Sequence, residues 1–113
     1  MSKRIFVVYG HHNIKESFNA SIRDTFIDEA KKNGHEIDLI NLHEERPLDF
    51  FDGSSPNVQV LNYRQRLEKC DVMFMISPCY NLRATAILEN WIDLVLAPKW
   101  FFSFKQIIGN WGY

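Results

Sequence analysis

The first stretch of the chain whose residues could bind a ligand runs from Gly10 to Asn19. A polar loop with His11 and Lys15 leads to Ser17, where a helical repeat begins. The first turn of a helix has backbone N–H groups without intrahelical partners and the positive end of the helix dipole, so such a loop is suited to an anion. Two interpretations are open: Ser17 only caps the helix beside a solvated loop, or Ser17, Lys15 and Asn19 hold an anionic ligand.

This loop matches neither standard nucleotide fingerprint. It lacks the glycines and the Gly-Lys-Ser/Thr ending of a Walker loop, and the chain has no GxGxxG. The four histidines include no His-x-x-x-His pair, and the two cysteines are not spaced as Cys-x-x-Cys. A metal site is therefore not predicted.

A second polar stretch, Ser77 to Leu82, follows the apolar run Val72–Ile76. The carboxyl ends of parallel strands meet at one edge of a sheet, where ligands bind, so we expect this stretch beside the loop that follows Tyr9. Cys79 lies in it, and we interpret this cysteine as structural, with a thiol near a ligand as the alternative.

Alternating strand and helix patterns position these two loops. Apolar runs predict buried parallel strands, and apolar residues spaced three and four apart predict helices. We predict strands over Ile5–Tyr9, Glu36–Leu42 and Val72–Ile76. We predict helices from Ser17 to Asn33, from an N-cap at Ser55 through the stripe Val60, Tyr63, Leu67 and Cys70, and from Ala86 to Leu96.

Two further groups of apolar residues are expected to pack. Leu48, Phe50 and Phe51 should pin the loop before the second helix to the body of the domain. The aromatic stretch from Trp100 to Tyr113 is either core or interface packing or the wall of a pocket on which a flat ring stacks.

Length and composition bound the function. With 113 residues and a net charge of −1, we expect one domain over 1–113 and no nucleic-acid partner. The apolar runs are too short to cross a bilayer and the start does not resemble a signal peptide, so we predict no membrane insertion and a cytoplasmic location. Two cysteines do not make a disulfide framework.

At these residues the sequence resembles the NAD(P)H:quinone oxidoreductase family of flavodoxin-like reductases. The matching pieces are Val8–Asn19, Ala30–Leu42, Tyr63–Asp71 and Ala86–Asp93, and their joint order and spacing make the resemblance specific. It implies an α/β fold: a flavodoxin-like parallel sheet in the order 2-1-3-4-5 with helices on both faces. It also implies FMN or FAD bound at a dimer interface.

The resemblance implies a role for individual residues. The flavin phosphate would be held by His11, Ser17, Phe18 and Asn19. The isoalloxazine ring would run along Pro78, Cys79, Tyr80, Asn81 and Leu82, and the substrate would contact Phe102 and Phe104. NAD(P)H would give a hydride to the flavin, which passes two electrons to a quinone or related acceptor.

The family chain continues beyond the point that corresponds to Tyr113. We therefore expect the fold to be truncated after the third strand and the following helix, which leaves Val72–Ile76 as a bare edge. Either the aromatic C-terminal segment covers this edge or another copy pairs with it, and we predict a homodimer or a higher oligomer. The alternative to a reductase is a shortened, non-catalytic relative that acts as an oligomerising or regulatory binding module.

Overall fold

The computed structural model describes residues 2–50, 52–53 and 55–96 and the backbone of 107–112. The elements alternate as the sequence predicts. They are β1 Arg4–Tyr9, α1 Phe18–Lys32, β2 Glu36–Asn41, a short 3-10 turn at Leu42–Glu44, α2 Val58–Glu68, β3 Val72–Pro78, α3 Ala86–Val95 and β4 Ile107–Gly112.

The strands form one parallel sheet in the order β2-β1-β3-β4. β1 and β3 are the two apolar runs, and their position between other strands explains why almost all of their side chains are buried. β2 lies at an edge, and its alternating residues are mostly half-buried. The flavodoxin-like strand order implied by the resemblance is therefore confirmed for these strands.

Alternate residues of β1 and β3 face opposite sides of the sheet, as a period of two requires. Val7 and Phe74 pack on the side of α1, whereas Phe6 and Met73 pack on the side of α2 and α3. The prediction of helices on both faces is thus confirmed. None of the helices in the described ranges combines the length and the apolar character that crossing a bilayer requires.

The sheet has one strand more than the sequence predicts. β4 lies parallel to β3, with Met73 opposite Ile107 and Pro78 opposite Gly112, so the third strand is not a bare edge. We expected the edge of β3 to be covered either by the C-terminal segment or by a second copy, and the C-terminal segment covers it. The stretch is hard to recognise because it contains two glycines, which are unfavourable in strands. A bare β3 edge is therefore no longer an argument for a dimer.

The start of the second helix also differs from the prediction. Asn57, and not Ser55, is the N-cap, and its Oδ1 accepts the Val60 N–H at 2.9 Å. Asparagine is among the best N-cap residues, so it determines the start, and Pro56 then precedes the helix. The predicted stripe is confirmed, because Val60, Tyr63, Leu67 and Cys70 are all buried.

The loop before α2 is held differently from the prediction. Leu48 packs against the core, but Phe50 is 84% exposed and pins nothing. The loop backbone is held instead by the amide of Asn90, which donates to the Asp49 carbonyl at 3.2 Å. Phe51 lies outside the described residues.

Candidate functional site

The two polar loops meet at the carboxyl edge of the sheet, as the sequence predicts. The Gly10 N–H donates to the Ile76 carbonyl at 2.8 Å, which extends the ladder between β1 and β3 by one residue. The Thr85 hydroxyl, from the end of the second loop, donates to the Gly10 carbonyl at 2.7 Å in a buried position. These two bonds fix the loops to each other.

The Tyr9 hydroxyl, at the end of β1, organises the first loop. It donates to the Asn13 carbonyl at 2.7 Å and lies 2.7 Å from Ser17 Oγ. A carbonyl cannot donate, so the Tyr9 proton goes to Asn13 and Ser17 must donate its own proton to Tyr9. Ser17 Oγ also accepts the Ala20 N–H at 2.9 Å, which confirms Ser17 as the N-cap of α1.

Asn13 closes the rest of this loop in an Asx turn. Its Oδ1 accepts the N–H groups of Lys15 and Glu16 at 3.2 and 2.9 Å, and its own N–H donates to His11 Nδ1 at 2.9 Å. Since Nδ1 accepts, His11 is neutral and carries its proton on Nε2. Partial burial, followed by the charge of the stacked His12 ring, lowers the pKa of His11 below its usual value.

The N-terminus of α1 leaves donors available. Ser17 satisfies the N–H of Ala20, whereas the N–H groups of Phe18 and Asn19 have no intrahelical acceptor. The Asn19 side chain is 98% buried, and its Oδ1 has no hydrogen-bond partner among the described residues. Phe18 is largely exposed. This position thus offers two backbone donors and one buried, unsatisfied acceptor.

The second loop is closed at its base by Ser77. Its hydroxyl donates to the Pro78 carbonyl at 2.8 Å and accepts the Thr85 N–H at 3.1 Å. β3 extends through Pro78, two residues beyond the predicted end at Ile76, and both added residues are buried. Pro78 is therefore part of the sheet and not of the loop.

The tip of this loop is a tight turn with unusual backbone conformations. Tyr80 and Arg83 exchange N–H···O bonds of 2.8 and 3.1 Å, and the two residues between them, Asn81 and Leu82, have φ values of +53° and +63°. Asparagine tolerates this left-handed region, but leucine does so at a cost of about 1–2 kcal/mol. Leu82 is also 88% exposed, so packing against the described residues compensates little for this strain.

We expect Leu82→Gly to raise the free energy of unfolding by about 0.5–1 kcal/mol, because glycine relieves the left-handed strain and loses part of that gain to unfolded-state entropy. Urea denaturation measures the change. Leu61→Gly, at an exposed leucine inside α2, is the matched control and should lower stability by about 1 kcal/mol. A loss of stability in both variants would contradict the strain at Leu82.

A cavity of about 360 Å³ lies beside this turn. Its walls combine the exposed apolar side chain of Leu82 with charged groups. Among these, Arg83 Nη1 lies 3.8 Å from Glu89 Oε2. The lining comes from the loop residues Cys79, Leu82, Arg83 and Ala84 and from Glu89, Ile92 and Asp93 of α3. A ring placed against Leu82 would therefore have polar groups at its edge.

The two cysteines have different environments. Cys79 is half-exposed in the second loop, whereas Cys70 is buried, and burial raises the pKa of Cys70 from 9.0 to about 11. Because the thiolate is the nucleophile, we expect iodoacetamide at pH 8 to label Cys79 in the folded protein and to leave Cys70 unmodified. Peptide mass spectrometry locates the label. Equal labelling of both thiols would contradict this assignment, and denatured protein is the control in which both should react.

Phe102 and Phe104, the two predicted substrate contacts, lie outside the described residues. Among those that the structure describes, no group of three or more His, Cys, Asp or Glu side chains is arranged to hold a metal ion.

Two positions with a clear structural effect on the site were not singled out from the sequence. Thr85 precedes a helix and so has the signature of an N-cap, but its hydroxyl makes no cap bond and joins the two loops instead. Tyr9 has the sequence pattern of an ordinary buried strand residue. The only sign that it also organises the first loop is its hydroxyl, which lies at the carboxyl end of the strand.

Comparison with known proteins places this geometry in a family. The family model described as a flavodoxin-like fold matches residues 3–111. An FMN-dependent NADH:quinone oxidoreductase of Clostridium perfringens is 30% identical over 109 residues, which cover 84% of this chain and 54% of that protein. The human ribosyldihydronicotinamide dehydrogenase [quinone] is 26% identical over an alignment of 126 positions, which covers 89% of this chain and 54% of that protein.

Solved structures agree on the fold. The NAD(P)H:quinone oxidoreductase from Methanothermobacter marburgensis superimposes with a TM-score of 0.75 at 19% identity, over 85% of this chain and 54% of that one. An FMN-dependent NADH-azoreductase from Bacillus anthracis, solved with FMN, gives 0.74 at 11% identity, over 96% and 68%. The chain spans about half the length of the curated relatives it matches. The chain belongs to the flavodoxin-like family and resembles its NAD(P)H:quinone oxidoreductases.

Proposed function

We propose that this chain binds FMN and takes part in flavin-dependent transfer of two electrons from NAD(P)H to a quinone-like acceptor. The observation that carries the proposal is the joining of the two loops by Thr85 and Gly10. This bond joins the loop that leads to the N-terminus of α1 to a loop with an exposed apolar residue, Leu82. A phosphate and a flat ring on one ligand need such a pair of neighbours. FMN is preferred to FAD because the names of several relatives specify FMN.

The first loop fits the phosphorylated end of FMN. The free N–H groups of Phe18 and Asn19 suit phosphate oxygens, and the Nε2–H of His11 adds a neutral donor. The Ser17 hydroxyl would donate to the phosphate after its proton turns away from Tyr9. This rotation removes the hydrogen bond that Ser17 donates to the Tyr9 hydroxyl at 2.7 Å.

The second loop fits the ring. Pro78 fixes the end of β3, and the segment Cys79–Leu82 would lie along the isoalloxazine. The N–H groups of Tyr80 and Arg83 are used within the turn, so the backbone donors left for the ring are those of the other loop residues. Leu82 would supply an apolar contact to the ring, and this contact would compensate for its strained backbone.

Bound FMN would supply the hydride chemistry, accepting a hydride from NAD(P)H and returning two electrons to the acceptor. The chain's own residues would bind the phosphate, fix the ring at the sheet edge and limit access of water through the loops. A cavity lined by Leu82, Arg83 and Glu89 is the place for the acceptor or the nicotinamide beside the ring.

The test is reconstitution with FMN. The purified chain is mixed with excess FMN and desalted, and its visible spectrum and intact mass are measured on one sample. We expect about one FMN per chain, bleached by NADH or NADPH under anaerobic conditions and restored by a quinone. Flavin retained without bleaching would support binding alone. No retained flavin on a folded chain would overturn the proposal and favour the non-catalytic binding module.

The oligomeric state and the location belong to the same proposal. The resemblance suggests a homodimer, and half-buried apolar side chains on α3 such as Ile92 and Leu94 would be suited to a subunit contact. Sedimentation of the FMN-loaded chain tests this, and a monomer would contradict it. The cytoplasmic location stays a prediction from the sequence.

A further inference from the structure

We propose that Arg23 of α1 is a specificity-determining residue of the flavin site: its buried positive charge favours a flavin that carries a phosphate over one that does not. This inference rests on the FMN site proposed above and adds to it a residue that belongs to neither polar loop. Three observations carry it: the burial of Arg23, its contact with the Tyr9 ring, and the exposure of the carboxylate that pairs with it.

Arg23 is a charged residue in the interior of the domain. It lies on the same face of α1 as Asn19, one turn further along the helix, and only 7% of its surface is exposed. Arginine is rarely this buried unless it is paired, because removing a charge from water is costly. The contacts of its guanidinium therefore indicate what the charge is for.

The guanidinium lies at the carboxyl edge of the sheet. Its Cζ is 4.5 Å from the centre of the Tyr9 ring, and its Nη1 donates to Asn41 Oδ1 at 2.9 Å. Tyr9 and Asn41 are the last residues of β1 and β2 and lie opposite each other in the sheet. These two contacts hold the cation on the α1 side of the edge, at the point where the first polar loop begins.

The carboxylate that pairs with Arg23 neutralises it incompletely. Arg23 Nε donates to Asp24 Oδ1 at 2.9 Å, but the Asp24 side chain is 59% exposed. Water screens an exposed carboxylate, so its attraction for a buried cation is weak. An anion bound at the N-terminus of α1 would thus meet a positive charge whose cost of burial has already been met by folding.

Tyr9 connects this charge to the proposed phosphate site. Its hydroxyl donates to the Asn13 carbonyl and accepts the proton of Ser17. A cation over the ring makes the phenol a weaker acceptor, because its positive potential opposes the proton that Ser17 directs at the Tyr9 oxygen. Ser17 therefore leaves Tyr9 more readily for an incoming oxygen. The freed hydroxyl and the field of Arg23 both favour an anionic oxygen over a neutral one.

The test compares FMN with riboflavin, which has the same ring and ribityl chain and no phosphate. Flavin fluorescence quenching gives both dissociation constants, and the readout is the ratio of riboflavin to FMN, since a purely structural defect weakens both flavins alike. We expect Arg23→Gln to lower this ratio at least about tenfold. Arg23→Lys keeps a charge but loses the guanidinium fork, so its ratio should lie between those of Arg23→Gln and the wild type.

The matched control is Arg66→Gln on the opposite face of the sheet. Arg66 also holds its guanidinium over an aromatic ring, 5.6 Å from the centre of Phe6, and its Nε donates to Asp38 at 3.1 Å. Its substitution removes a similar set of contacts far from the proposed phosphate site. The ratio of the two flavin affinities should therefore stay within about twofold of the wild type.

A second variant tests the same charge without touching the interior. Asp24→Asn removes the exposed carboxylate and leaves Arg23 less neutralised, so it should raise the ratio about two- to threefold in favour of FMN. Asp28→Asn removes an equal charge from an exposed position one turn further along α1, and its effect should be smaller. This pair separates the partner of Arg23 from the net charge of the chain.

The outcomes distinguish this assignment from the proposed function. If the wild type prefers FMN and Arg23→Gln keeps that preference, or loses both flavins equally, Arg23 is structural and only the assignment is overturned. Equal affinity of the wild type for FMN and riboflavin also overturns it. A wild-type chain that binds neither flavin overturns the proposed function and the assignment together. If Arg23→Gln does not fold, Asp24→Asn decides, and an unchanged or lowered ratio in that variant overturns the assignment.

Discussion

Ser17→Glu is expected to lower the affinity for FMN at least a hundredfold while the chain stays folded. The substitution places a carboxylate at the N-terminus of α1, where the proposed site holds the phosphate. Two unit charges about 4 Å apart repel by about 4 kcal/mol at an effective dielectric constant near 20, and the phosphate carries up to two. Retention of FMN after desalting and titration by flavin fluorescence quenching measure the effect.

The folding cost of this substitution should be small. Loss of the hydrogen bond that the Ala20 N–H donates to Ser17 Oγ costs about 1 kcal/mol, and a carboxylate at a helix N-terminus returns about 0.3–1 kcal/mol through the helix dipole. Far-ultraviolet circular dichroism and urea denaturation should therefore show a folded protein of slightly lower stability.

Two controls separate charge from capping. Ser17→Ala removes the cap and the contact with Tyr9 without adding a charge, so it should weaken FMN far less than Ser17→Glu. Asn57→Asp adds the same charge at the N-cap of α2, keeps the cap, and should leave FMN binding unchanged. Wild-type affinity in Ser17→Glu would show that the phosphate binds elsewhere.

Much of the fold could be predicted because the informative residues act locally. The apolar runs of β1 and β3 predict buried strands, and Ser17 and Gly34 mark the ends of α1: Ser17 by its cap bond, Gly34 by a φ of +82° just after the C-cap Asn33. The order of strands and helices then requires the two polar loops to share one edge. The proximity of the two loops, on which the proposed anion site depends, followed from these few features.

The remainder depends on contacts between distant residues. The bond from Thr85 to Gly10 joins residues 75 positions apart, and no local pattern announces it. The turn at Asn81-Leu82 lacks the glycine that normally signals two consecutive positive φ values, so it could not be recognised as a strained turn. The covering strand β4 was missed because its glycines contradict strand propensity, which pairing with β3 overrides.

Gly10→Ala is expected to lower both the free energy of unfolding, by about 2 kcal/mol, and the affinity for FMN, because an added methyl would force the two loops apart. A Cβ at Gly10 would lie 3.0 Å from Leu88 Cβ and 3.1 Å from Thr85 Oγ1. The Leu88 Cβ is fixed to the α3 backbone and cannot rotate away, and Thr85 can move only by breaking its bond to the Gly10 carbonyl. Overpacking of this kind costs about 1–3 kcal/mol.

The matched control is Gly34→Ala, which separates loss of stability from displacement of the loops. Gly34 has a φ of +82° and no atom within 4 Å of an added Cβ, so alanine there costs about 1 kcal/mol through backbone strain alone, far from the site. Gly34→Ala should thus keep wild-type affinity for FMN at temperatures where it is folded, whereas Gly10→Ala should not. Thr85→Val removes the joining bond with little change of shape, so it should weaken FMN as Gly10→Ala does. If all three variants bound FMN equally well while folded, the contact between the loops would not be what positions the two halves of the ligand.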